Sequence, residues 1–332
     1  MSDVKLSLLN DFQRGFPLTP APFELMARHL VIGVDEVLET LRRLTREGVV
    51  SRVGAVFRPN RVGVSTLAAM AVPEARLAEV AAQVSVRPEI NHNYEREHRF
   101  NLWFVATAAN AAHLDRVLHE IEAQSGLPVM RLPMVQDYHI DLGFDLRRTV
   151  ALAHQPGRRA TPTGPLDLDE LDYALIAAIQ DGLPLVARPY AAVASLVGAS
   201  EAAVLQRLER MLDHDVIKRL GVVVRHHELG FRANAMVVLN VPDAEVDDVG
   251  RCIGASGLVN LCYQRPRRLP EWPYNLFCMI HGKDRDAVRA HHAHLRDQCA
   301  LHGYRYEILF SRQRFKKTGA RYVAPAPKEA IA

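Results

Sequence analysis

The chain repeats itself, and the repeat limits what it can fold into. Gly15 and Pro17 recur as Gly182 and Pro184, Pro22 as Pro189, Leu38 as Leu205, and Gly54 and Arg58 as Gly221 and Arg225, all at a separation of 167 residues. Further on the offset slips. Asn91 and Tyr94 meet Asn260 and Tyr263, and Asn101 meets Asn275 after a longer hairpin loop. The chain is therefore two copies of one two-part module. At 332 residues it is too long for one small core.

Each copy opens with three short helical patterns, Leu6 to Gln13, Pro22 to Leu30 and Val34 to Glu47, repeated as Leu168 to Gln180, Pro189 to Val197 and Ser200 to His214. Val34, Val37, Leu38, Leu41 and Leu44 fit one helical face. Gly48 then ends the helix, and VVSRVGAVF reads as a strand or wing, which makes a winged helix-turn-helix. A strand, helix, two strands, helix, strand pattern follows over Ser65 to Ile140, and again over Ala233 to Phe310. The expected fold is α+β: a tandem winged helix-turn-helix plus ferredoxin-like βαββαβ domain, closing into an internal pseudo-dimer. The expected boundaries are 1–60 and 61–150 for the first copy, a linker at 151–166, 167–227 and 228–323 for the second, and a tail at 324–332. Within the linker, HQPGRRATPTGP (His154 to Pro165) has the required Pro, Gly and Thr content.

The composition, 48% hydrophobic and 24% charged, is that of an ordinary soluble globular protein. A net charge of +3 is too small to argue for nucleic acid. The first residues, MSDVKLSLLNDF, lack a signal-peptide apolar core, and no apolar run approaches membrane-spanning length, so a cytoplasmic protein is expected. The four cysteines, Cys252, Cys262, Cys278 and Cys299, show no zinc or redox spacing and read as reduced, mostly buried thiols.

Chemistry concentrates in NHNYEREHRFNLWF, Asn91 to Phe104. If Ile90 to His98 is extended, Ile90, His92, Tyr94, Arg96 and His98 share one face, and Asn91, Asn93, Glu95 and Glu97 the other. One face then carries imidazoles, a phenol and a carboxylate binder together. Singly, each residue reads more readily as a satisfied core or surface group; their conjunction favours a site.

A winged helix-turn-helix followed by βαββαβ resembles the Lrp/AsnC regulators. The hairpins narrow the resemblance: NHNYEREHRFNLWF, together with RHHELGFRANAMVV and NLCYQRPRRLPEWPYNLFCMIHG in the second copy, is similar to the siroheme decarboxylases, the fused D-L type of the haem d1 pathway of denitrification. That resemblance implies a lyase that removes two acetate carboxyl groups from siroheme without oxidation, giving 12,18-didecarboxysiroheme and carbon dioxide. No cofactor beyond the iron of the siroheme substrate is implied. Association with further copies or with other subunits of the family stays open.

A tetrapyrrole with eight carboxylates requires cations on its rim, and arginine binds carboxylate bidentately. The second hairpin offers Arg265, Arg267 and Arg268 with Tyr263, Trp272, Tyr274, Asn275 and Phe277; the first offers Arg96, Arg99, Asn101 and Trp103. RPRR reads as the rim contact, whereas Arg312, Arg314, Lys316 and Lys317 read as an exposed tail. Decarboxylation leaves electron density on carbon, and histidine, whose ordinary pKa is near neutrality, suits the proton donor. His92 aligns with Leu261, while Tyr94 and Arg96 keep counterparts in Tyr263 and Arg265. The halves then form an asymmetric site, the first copy donating protons through His92 and His98 and the second gripping the rim. Candidates for an axial ligand to the substrate iron are His226, His227 and His281, the last aligned with Thr107, with His139 a weaker fourth. No His, Cys or Asp set at ligand spacing suggests a metal site of the protein itself.

Two rival readings remain open. A DNA-binding regulator would present cations at the start of the third helix, but that end carries Asp35, Glu36 and Glu39, and in the second copy Glu201. Arg42, Arg43 and Arg46 have Glu39 and Glu47 close enough to pair with them. A haem-binding sensor without turnover would use the same pocket and need no proton donor.

Overall fold

The computed structural model describes residues 3–58, 60–140, 166–224 and 233–323. Residues 151–165 of the stretch read as a linker, the C-terminal tail, and His226 and His227 lie outside these residues. The first copy runs α1 (Asp3–Asp11), α2 (Pro22–Leu30), α3 (Val34–Arg46), β1 (Val50–Phe57), β2 (Val64–Met70), α4 (Leu77–Ser85), β3 (Ile90–Arg96), β4 (Leu102–Ala108), α5 (Ala111–Ser125), β5 (Met130–Pro133) and β6 (Gln136–Ile140). The second runs α6 (Glu170–Ile179), α7 (Pro189–Val197), α8 (Glu201–Asp213), β7 (Ile217–Val224), β8 (Ala233–Asn240), α9 (Val246–Ala255), β9 (Leu261–Gln264), β10 (Leu276–Gly282), α10 (Arg285–Gln298) and β11 (Arg305–Lys317).

The two helix-turn-helix units do not stand apart. A proline preset for the helical φ begins both α2 and α7, and α3 buries Val37, Leu38, Leu41 and Leu44 as one stripe. That stripe joins a core shared by both copies, in which Leu8, Phe23 and Leu41 cluster with Leu175, Tyr190 and Leu208. Each unit has one strand, and the two strands pair with each other: β1 runs antiparallel to β7 with Gly54 opposite Gly221. A side chain at Gly221 would collide with the backbone of Phe12 and Gln13, so the close approach requires glycine there.

The remaining strands form a nine-stranded order, β5-β2-β4-β3-β11-β8-β10-β9-β6. Each copy supplies one ferredoxin-like sheet, and each sheet borrows a strand from the other. The first half of β11 pairs with β8 and its second half crosses to β3. Correspondingly, β5 pairs with β2 and β6 crosses to β9, with only Met134 and Val135 between them. Alternation along the strands sorts the cores. Ala68, Met70, Leu102 and Phe104 face α4 and α5, while Ala235, Val237, Leu276 and Cys278 face α9 and α10. The intervening Leu67, Ala69, Trp103, Met236, Val238 and Phe277 pack together between the two sheets.

Two expectations are corrected here. Cys252 and Cys299 form a disulfide rather than remaining thiols; Cys262 and Cys278 are the buried thiols. The last strand does not stop at Phe310 but continues to Lys317, so the C-terminal cations sit on a paired strand instead of a tail. Among the described residues, no helix is long and apolar enough to cross a membrane.

Candidate active site

The face of β3 that carries the chemistry is set by a bulge. Ile90 packs in the core beneath α4 and α5, and Asn93 also points there, donating to Ala81 O and Ser85 Oγ of α4. A register shift between Ile90 and His92 lets both do so and turns His92 and Tyr94 inward, toward the second copy. Ile90 is thus removed from the expected face. The His92 and Tyr94 rings stack at 6.4 Å. The buried Arg96 places its guanidinium 5.7 Å from the Tyr94 ring centre and donates to Leu309 O at 3.0 Å.

Strand exchange completes the cleft with residues from the second copy. Lys317 stands opposite His92, and Arg314 opposite Tyr94. His281, next to last in β10, lies on the face that carries Phe277 and Met279, the face between the sheets. Lys317 lies within electrostatic reach of both imidazoles. Arg52, on β1 of the helix-turn-helix body, reaches His92 as well. Arg58, just beyond β1, clamps that body to β6 through Asp137 at 2.8 Å.

The electrostatics follow from burial among cations. Desolvation, with Lys317 and Arg52 adding to it, pushes His92 down to about 3; desolvation, Lys317 and Arg96 do the same to His281, also to about 3. Both rings are neutral near pH 7. Each is held at Nδ1 by an asparagine oxygen, His92 by Asn91 Oδ1 at 3.2 Å and His281 by Asn260 Oδ1 at 2.8 Å. Burial raises the Tyr94 phenol and lowers Arg96 to about 10, so Tyr94 keeps its proton and Arg96 its charge.

Other expected site residues serve the fold. His98 lies at the far end of β3's hairpin, where its Nδ1 accepts from Phe100 N at 2.9 Å and its Nε2 meets Glu307 at 3.0 Å. Both nitrogens are engaged, away from His92. Asn101 exchanges two hydrogen bonds with the backbone of Val72, and Asn275 does the same with Val241. Trp103 and Trp272 are buried in the core between the sheets, their rings 5.1 Å apart. Of the RPRR arginines, Arg265 is buried, Arg267 half-buried and Arg268 exposed, and all three are engaged by the protein. Arg265 donates to Leu132 O and lies over Tyr263, itself buried. Arg267 is committed to Asn240, Pro273, Val241 and Asp243, and Arg268 donates to Arg131 O. His139 lies on β6 opposite Cys262.

The two copies differ at the equivalent positions. The pseudo-equivalent cleft has Leu261 opposite Ile140 where this one has His92 opposite Lys317, and Thr107 where this one has His281. Sequence reasoning assigned Lys317 to an exposed tail and missed Arg52. The first would have surfaced had β11 been extended to match the full length of β5 and β6.

The comparisons agree with this architecture. A model of the AsnC-like ligand-binding domain matches residues 61–139 and 228–316, and one of the siroheme decarboxylase NirDL-like helix-turn-helix domain matches residues 6–50 and 172–218. The chain is 44% identical to the siroheme decarboxylase NirDL subunit of Paracoccus denitrificans over 96% of its own length and 97% of that protein's. It is 53% identical over 44% of its length to the NirD subunit of Pseudomonas aeruginosa, 97% of which is covered. A crystal structure of the siroheme decarboxylase NirDL, in complex with an iron-uroporphyrin III analogue, superposes with a TM-score of 0.69 at 27% identity, covering 96% of this chain and 93% of that one.

Proposed function

This chain belongs to the siroheme decarboxylases of the NirDL type and decarboxylates siroheme, and from that premise we propose that His92, Tyr94, Arg96, His281 and Lys317 form its active site. The observation that carries this is the meeting of two asparagine-held imidazoles and a lysine from both copies in one cleft. Two acetate side chains are lost. In each step the bond between methylene carbon and carboxylate breaks, carbon dioxide leaves, and the electron pair passes to the methylene carbon and the conjugated ring. A proton then converts that carbon to a methyl group.

The residues suit those steps. Arg96 and Lys317 are cations for substrate carboxylates, and Arg96 Nε has no partner among the described residues. Desolvation keeps the imidazoles neutral, and the cations around them add to it. A polyanionic substrate reverses that field, raises both pKa values, and lets each Nε2 take a proton from solvent and pass it to carbon. His281 replaces His98 as the second donor. No cofactor beyond the substrate's own iron enters the scheme.

A DNA-binding role is disfavoured by the arginines of α3: Arg46 pairs with Glu39 at 2.9 Å, and Arg42 donates to Leu185 O at 2.7 Å. The test is anaerobic incubation of the purified chain with siroheme, resolving products by mass. Didecarboxysiroheme is expected from the parent and accumulated substrate or monodecarboxylated product from His92→Ala and His281→Ala. Parent-rate turnover by both variants would refute the site, and salt-dependent DNA binding without tetrapyrrole binding would refute the activity.

A further inference from the structure

Asn91 and Asn260 are equivalent positions of the two copies, and each bonds through Oδ1 to the Nδ1 of an imidazole. The imidazoles themselves are not equivalent. His92 follows Asn91 along the chain, whereas His281 stands across the sheet from Asn260, where the first copy has Thr107. The amide is the same in both copies; the ring it holds has moved.

Both amides are buried. Asn91 Nδ2 donates to Thr107 Oγ1 at 3.3 Å, but Asn260 Nδ2 is a buried donor with no partner among the described residues. The first copy's hydroxyl partner was exchanged for an imidazole that Asn260 engages through its oxygen instead. Burying an unpartnered donor is unfavourable, so the interaction with His281 is what the amide serves. An amide oxygen only accepts, so Nδ1 carries the proton in both neutral rings, and the lone pair lies on Nε2. A neutral anchor leaves the ring's pKa to its surroundings, whereas a carboxylate in its place would raise it.

We propose that Asn91 and Asn260 are positioning residues, each holding its imidazole as the Nδ1–H tautomer so that Nε2 is the nitrogen presented to substrate. The proposal rests on the reading of His92 and His281 as proton-delivering groups. It extends that reading to the residues that fix which nitrogen acts, as the partner of a catalytic or metal-bound histidine does elsewhere.

The test begins with nitrogen-15 NMR of the full chain labelled at histidine, the two rings being assigned by their loss in His92→Gln and His281→Gln. Both are expected to be protonated at Nδ1 in the parent and to lose that preference in Asn91→Leu and Asn260→Leu respectively. In turnover with siroheme, each leucine variant should lower kcat about 10- to 100-fold while binding iron-uroporphyrin within about two-fold of the parent. Asn260→Asp keeps the acceptor and gives up only an unpartnered donor. It should restore most of kcat and shift the alkaline limb of the pH profile upward, away from Lys317 and Arg96, which push the other way; a packing role would not move that limb. Nε2 protonation in the parent would overturn the proposal, and that spectrum decides even if a leucine variant does not fold. Leucine variants that keep kcat while His92→Ala and His281→Ala lose it would also overturn it, leaving the active site intact. If the alanine variants themselves turn over at the parent rate, the active-site reading fails first and the positioning role falls with it.

Discussion

Lowering the pH should destabilise this protein through His92 and His281, and the size of the effect follows from their surroundings. Both fold with a pKa of about 3, set by desolvation and then by Lys317, against an unfolded value of about 6.5. Between those values the unfolded chain binds more protons, so stability is complete above pH 6.5 and falls as the pH drops toward 3. At pH 5 each ring contributes a loss of about 2 kcal/mol, or about 4 kcal/mol for the pair. Both rings are half-buried, and solvent screening reduces the expected loss to about 2 to 4 kcal/mol. Urea unfolding at pH 7.5 and pH 5, for the parent and for the His92→Gln/His281→Gln double variant, measures it as the difference between their pH-dependent losses. Equal losses in the two proteins would refute the reasoning. The same argument run in reverse predicts net proton uptake when iron-uroporphyrin binds at pH 7. Calorimetry in two buffers of different ionisation enthalpy should detect that uptake in the parent and find it diminished in the double variant.

His92→Ala and His281→Ala should each slow product formation by about 10²- to 10⁴-fold, the usual worth of a positioned acid or base, with binding of iron-uroporphyrin retained. His98→Ala should keep turnover and instead lose about 1 to 3 kcal/mol of stability in urea melts, because Glu307 and the Phe100 N–H are left without it. Lys317→Met should weaken iron-uroporphyrin binding by about ten-fold or more in fluorescence titration, the value of one charge-assisted carboxylate contact of about 1.5 to 3 kcal/mol. Asn101→Ala and Asn275→Ala should each destabilise by about 1 to 3 kcal/mol, since the first leaves both backbone polar groups of Val72 unpaired and the second leaves the Val241 N–H unpaired while Arg267 still serves the Val241 carbonyl, with intrinsic siroheme affinity unchanged in the folded fraction.

The duplication, the helical stripes and the alternation of the strands were legible in the sequence because each depends on residues near one another along the chain. Pro22, Pro189 and the Val37 to Leu44 stripe locate their helices by local rules alone. The mismatch of His92 with Leu261 likewise announced that the two halves would differ in chemistry. What periodicity could not supply was the company each side chain keeps. The same two-residue rule that grouped His92 with Tyr94 also enrolled Ile90, which a bulge turns away, and His98, which the end of the hairpin diverts to Glu307. Of the arginines that read as a substrate rim, Arg265 is held inside the fold by a backbone oxygen, because a buried guanidinium must be satisfied wherever acceptors lie, and Arg267 is held by the Val241 carbonyl. Lys317 and His281 became partners of His92 only through the exchange of β11 between sheets. That exchange is a pairing between residues more than 200 positions apart, chosen by sheet closure and burial, and no local pattern encodes it.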